Sequence, residues 1–172
     1  MEQKTFALKG NIIYTKERTR FEVMEQGWLV CEEGRVRDVY SVLPEELKGI
    51  PVEDMGDRLI IPGLTDLHIH APQYTFRSLG MDMELLEWLE TNTFPEESKY
   101  KDAEYAQKAY GMFAEQLKKS ATVRACIFGT IHNEATLILM DLLEEAGLHT
   151  MVGKVNMDRN SPDYLCEPSA EA

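Results

Sequence analysis

His68 and His70, with Ile69 between them, stand two apart, a spacing at which a strand alone brings two metal-seeking imidazoles together. Successive side chains of a strand alternate faces. Imidazoles at i and i+2 therefore point the same way and can offer nitrogens to one ion, while Ile69 points the other way. The stretch Pro62 to Tyr74 reads as a buried strand ending in these histidines, approached through the apolar run Leu59-Ile60-Ile61 and set off by a kink at Pro62-Gly63. Asp66, two residues upstream of His68, is placed to orient the strand through an outer contact rather than to react. His-x-His alone also recurs on exposed strands that bind nothing, so its meaning depends on the surrounding residues.

Those surroundings are specific. Pro-Gly-x-x-Asp-x-His-x-His over residues 62–70 resembles the first barrel strand of the amidohydrolase superfamily of metal-dependent hydrolases. His70-Ala71-Pro72-Gln73-Tyr74, Leu85-Leu86-Glu87-Trp88-Leu89, Thr93-Phe94-Pro95-x-Glu97 and Gly153-Lys154-Val155-Asn156-Met157-Asp158-x-Asn160 resemble, in order, the pattern of its guanine deaminases. The resemblance implies hydrolytic deamination of guanine to xanthine and ammonia by a metal-activated water. It makes His68 and His70 metal ligands and sets Ala71, Pro72, Gln73 and Trp88 around the purine. The implied metal is zinc, although a His-x-His pair also suits iron or nickel. The family's two further histidines, its proton-shuttling glutamate and its last-strand aspartate would fall beyond the third strand. No catalytic acid or base is therefore assigned within residues 1–172, and the chain is expected to be inactive by itself. Family members are usually homodimers, and the same is implied for the parent protein.

Each assignment has a plainer alternative. The Gln73 amide can donate and accept at once, which suits a purine edge, but a glutamine there could also cap a loop. Trp88 could wall a pocket or fill a core among Leu85, Leu86 and Leu89. His132 reads as a helix N-cap or loop residue, Asp158 as a turn former before Asn160, and His149 has no visible partner. Two other functions stay open: an amidohydrolase acting on a pterin, cytosine or triazine, or a noncatalytic piece that associates with a partner chain.

The elements that must hold these residues fall into two groups. Residues 1–62 carry short β-branched and aromatic runs, Phe6 to Tyr14, Trp28 to Cys31 and Val36 to Tyr40, with a hairpin turn at Glu32-Glu33-Gly34-Arg35 and a short helix from Pro44. By resemblance this is part of a composite β-sandwich. From residue 63 the pattern alternates: helices over Met83 to Thr91, Lys101 to Lys119 and Glu134 to Ala146, strands over Val123 to Thr130 and Thr150 to Asn156. Such alternation implies an α/β fold with a parallel sheet. A complete barrel takes about 250 residues, so residues 63–172 correspond to about the first three βα units of a TIM-like barrel. A further helix opening at Pro168 would make the chain an N-terminal fragment.

Composition narrows the partners. A net charge of −12 opposes long-range attraction to nucleic acid or an anionic membrane. Cys31, Cys126 and Cys166 show no Cys-x-x-Cys spacing and read as free thiols. The polar start Met1-Glu2-Gln3-Lys4 is unlike a signal peptide, and no apolar run nears the roughly 20 residues of a membrane span, so a cytoplasmic location is expected.

Overall fold

The computed structural model describes residues 5–168, which divide at Pro62/Gly63 into two compact units. Met1 to Lys4 and most of the helix expected from Pro168 lie outside the described residues. Among the described residues no helix is long and apolar enough to cross a membrane, and all three cysteines are free.

In the first unit, β1 (Phe6–Glu17) and β2 (Arg20–Glu32) form a long antiparallel hairpin, to which β3 (Arg35–Tyr40) adds through a second one. Glu33 and Gly34 both adopt positive φ, 51° and 72°, the backbone twist a two-residue hairpin turn needs. A 3-10 turn at Glu45–Leu47 replaces the expected short helix, and β4 (Val52–Ile60) then pairs parallel to β1, giving the order β3-β2-β1-β4. Ala7, Val30 and Leu47 form a small core under Trp28, Tyr40, Leu43 and Ile50.

β4 corrects the sequence reading. Leu59 and Ile60 end this strand rather than leading into the histidine strand. Its Glu53-Asp54 and Gly56-Asp57 pairs are poor strand formers, and pairing with β1 at the sheet edge overrides them.

In the second unit, β5 (Leu64–His70) leads through a 3-10 turn, Ala71–Phe76, to α1 (Leu85–Trp88). A widened turn at Leu89–Thr93 continues into α2 (Phe94–Ser98), so helix persists well past the expected end at Thr91. α3 (Ala103–Lys118) follows, then β6 (Thr122–Phe128), α4 (Asn133–Glu145) and β7 (His149–Gly153). The three strands form a parallel sheet in the order β5-β6-β7.

Packing on one face of this sheet follows from helical and strand periods. Ala106, Ala109, Tyr110, Phe113, Ala114 and Leu117 line one side of α3 and meet Ala135, Leu139 and Leu143 of α4 over Ala125 and Ile127 of β6. The Asp102 carboxylate caps α3 by accepting from the amides of Glu104 and Tyr105, and Gly147, at φ 74°, ends the segment after α4. β5 is not the fully buried strand the sequence implied. Leu64 and Leu67 are 53% and 73% exposed, because the helices cover only the face presented by Ile69, Ala125, Ile127 and Val152.

Candidate functional site

A β-bulge sets the direction of the histidines. β5 advances three residues, from Asp66 to Ile69, while β6 advances two, from Ala125 to Ile127. The Asp66 carboxylate accepts the backbone amide of His68 at 3.0 Å and so braces the bulge itself rather than an imidazole. Beyond it, Ile69 packs into the core while His68 and His70 share the opposite face.

The two imidazoles converge. Their Nε2 atoms are 3.0 Å apart, with ring centroids at 4.9 Å. Phe128, cross-strand partner of His70, backs both rings at 4.7 Å and 5.0 Å and stacks nearly parallel to His70. Burial, and then the neighbouring His68, push the His70 pKa below the usual imidazole range, which keeps its nitrogen lone pair available. Two Zn–N bonds of about 2.0–2.1 Å readily span the Nε2 separation. Among the described residues, no group of three or more His, Cys, Asp or Glu side chains is arranged to hold a metal.

The chain leaves the histidines directly into the Ala71–Phe76 turn, at the C-terminal end of the sheet where active sites of βα barrels form. Ala71 and Pro72 are buried and Gln73 is half-buried. The Gln73 side chain makes no hydrogen bond among the described residues, so its amide retains its full donor and acceptor capacity. Trp88 is half-buried, packs on Phe76 at 5.5 Å and donates its indole N–H to the Leu79 carbonyl at 3.0 Å. Its polar handle is thus spent on holding the loop after the turn.

The remaining candidates separate. His149 pairs with Arg124 at the start of its strand, whereas His70 pairs with Phe128 at the far end, so His149 lies at the wrong end of the sheet. His132 precedes α4 without a side-chain cap; its Nε2 is buried and unpartnered, and burial followed by Lys101 lowers its pKa. Asp158 sits in the bend before Asn160, whose φ is 55°. Lys154, after β7, bonds Asn156 at 2.5 Å and pairs with Glu167.

Sequence reasoning missed Phe128 and Glu96 here, and it missed the burial of Glu97, which it names only within the Thr93-Phe94-Pro95-x-Glu97 motif. Phe128 carried no signal beyond an apolar strand. Glu97 is only 6% exposed, and burial raises its pKa to about 7; an acid inside a helix gives no hint of that. Glu96, one residue earlier, is tied to the Ala71–Phe76 turn through Thr75.

Residues 59–172 match the model of the amidohydrolase family. Guanine deaminase of Dictyostelium discoideum is 34% identical over 95% of this chain and 40% of its own length. Guanine deaminase of Escherichia coli K12 is 35% identical over 84% of this chain and 33% of its own length. The crystal structure of guanine deaminase from C. acetobutylicum with guanine bound in the active site superposes with a TM-score of 0.89 at 44% identity, covering 95% of this chain and 39% of that one. The chain thus spans between one third and two fifths of the length of these relatives.

Proposed function

Because this chain belongs to the amidohydrolase family, we propose that it forms the metal-binding and purine-binding edge of a guanine deaminase, a hydrolase converting guanine to xanthine and ammonia. The observation that carries this reading is the convergence of His68 and His70 Nε2 at 3.0 Å immediately before the Ala71–Gln73 turn. In this reading residues 63–172 are the opening βα units of a TIM-like barrel, and residues 1–62 are part of a β-sandwich beside it.

His68 and His70 would hold a divalent metal, in our proposal zinc, each through Nε2. Such an ion, when bound, supplies the acidity that makes hydroxide available from water at neutral pH. Phe128 keeps the imidazoles packed and shields their apolar side from water. Asp66 fixes the bulge from which they project. Gln73 would meet the guanine edge, its amide giving one hydrogen bond and taking another, against the buried floor of Ala71 and Pro72. Trp88 would shape the pocket by holding the loop beyond the turn. Ligands and a proton-transferring acid beyond these residues belong to the rest of the proposed site, so residues 1–172 alone are expected to bind metal weakly and to turn over no guanine. We propose a cytoplasmic location and, for the full-length parent, a homodimer.

The test is zinc content and ultraviolet-monitored loss of guanine, with ammeline, cytosine and pterin as rival substrates, in the 172-residue chain and in any longer form carrying it. Guanine turnover in the longer form, abolished by His70→Ala, is the expected result. Preferential turnover of a triazine or pyrimidine would replace guanine with that substrate class.

A further inference from the structure

The Gln73 side chain makes no hydrogen bond among the described residues, so its aim depends on the backbone that carries it. That backbone is tied on both sides. One residue before, the Pro72 carbonyl accepts the hydroxyl of Tyr100 at 3.2 Å; Tyr100 is 1% exposed and packed against Tyr110 at 4.6 Å and Tyr105 at 5.2 Å. Two residues after, the Thr75 hydroxyl lies 2.9 Å from Glu96 Oε1 and 3.2 Å from the same Pro72 carbonyl.

Proton counting decides how these ties work. A threonine hydroxyl has one hydrogen to give, and a carboxylate is a stronger acceptor than an amide carbonyl. Thr75 therefore donates to Glu96, and Pro72 is held by Tyr100. Glu96 is itself fixed: Lys99 Nζ lies 2.5 Å from its Oε2, and the Tyr105 hydroxyl donates to its Oε1. Burial opposes its ionisation, but the bonds from Lys99, Tyr105 and Thr75 outweigh burial and hold its pKa below the usual carboxylate range.

We infer that Glu96, acting through Thr75, and Tyr100, acting on the Pro72 carbonyl, are positioning residues for Gln73, and that by pinning the turn on either side they set how its amide meets a purine edge. The inference rests on the guanine reading for its ligand, while the pinning itself is independent of any ligand.

Amide hydrogen exchange across residues 71–76 of the 172-residue chain tests the pinning. Thr75→Val keeps the shape and removes the hydroxyl; Tyr100→Phe keeps the ring and removes the oxygen. Each should speed exchange of the turn amides about tenfold, the scale of one lost hydrogen bond. Thr75→Ser should exchange like the wild type, and α4 amides should not change in any variant. Identical exchange in Thr75→Val and Thr75→Ser, or acceleration spread equally over α4, overturns the inference. Guanine titration of the same variants in a longer form carrying this chain then separates the two readings. Binding weakened about tenfold by Thr75→Val and restored by Thr75→Ser supports positioning. Binding equal in all variants overturns it. A wild-type longer form that ignores guanine counts against the guanine reading, and the exchange rates of the 172-residue chain still decide the pinning.

Discussion

Two ionisable residues show how position sets chemistry here. His70 has its pKa lowered by burial and by His68, so it competes poorly for protons and, in the proposed site, would stay available to a metal under mildly acidic conditions. Removing it leaves a single imidazole, and His70→Ala should weaken zinc binding more than the 10- to 100-fold that outer contacts typically cost. Competition with a chromophoric chelator measures this, and an unchanged affinity would place the metal elsewhere. Glu97 makes a different claim, about stability. Its folded-state pKa is about 7 against an ordinary 4.5, because burial penalises the charge. Between those values the folded chain keeps a proton that the unfolded chain has released, so this contribution to stability falls as pH rises from about 4.5 to 7 and is level above. The loss amounts to about 3 kcal/mol, taking about 1.4 kcal/mol per pH unit. Urea unfolding at pH 5 and pH 8 should show it in the wild type and not in Glu97→Gln. A slope shared by both proteins would put the proton on another group.

At the scale of elements, α3 shows what the sequence revealed and where it blurred. Its apolar spacing made the helix visible from Lys101 to Lys119, yet the true start is Ala103, because Asp102 turns its side chain back to accept the amides of Glu104 and Tyr105. Asp102→Ala should therefore cost about 1 kcal/mol, as loss of an N-cap does. Chemical denaturation reads that directly, and no loss would mean that water replaces the cap. The βα alternation after residue 63 was legible for a related reason: Ala106, Ala109, Phe113 and Leu117 repeat at helical period, while Ala125 and Ile127 alternate at strand period. β4 was not legible, since its acidic and glycine residues argue against a strand and only its β1 partner makes it one. The bulge between Asp66 and Ile69 was equally invisible, because it depends on register with β6. Within the candidate site the histidines, Gln73 and Trp88 could be picked out from residue type and motif. Phe128, Thr75 and Glu96 could not, for their importance arises only from what the fold brings beside them.

At the scale of the whole molecule, the parallel sheet of the second unit presents a physical problem that its charge cannot solve. Helices cover one face, while Leu67 is 73% and Met151 67% exposed, and β5 and β7 each have one side unpaired among the described residues. Apolar side chains beside free strand edges favour association, since fully burying one leucine or methionine is worth about 1.5–3 kcal/mol. The net charge of −12 acts against two copies meeting, and salt screens that repulsion over about 8 Å at physiological ionic strength. The 172-residue chain should therefore self-associate reversibly, and more strongly as salt is raised, which distinguishes apolar contact from ion pairing. Leu67→Lys or Met151→Lys should weaken association by about tenfold or more, by the same burial scale. Sedimentation velocity over a range of protein and salt concentrations makes the measurement. A monomer at every concentration and salt would show that burying these side chains does not outweigh the cost of association, and association that weakens with salt would assign the contact to charges.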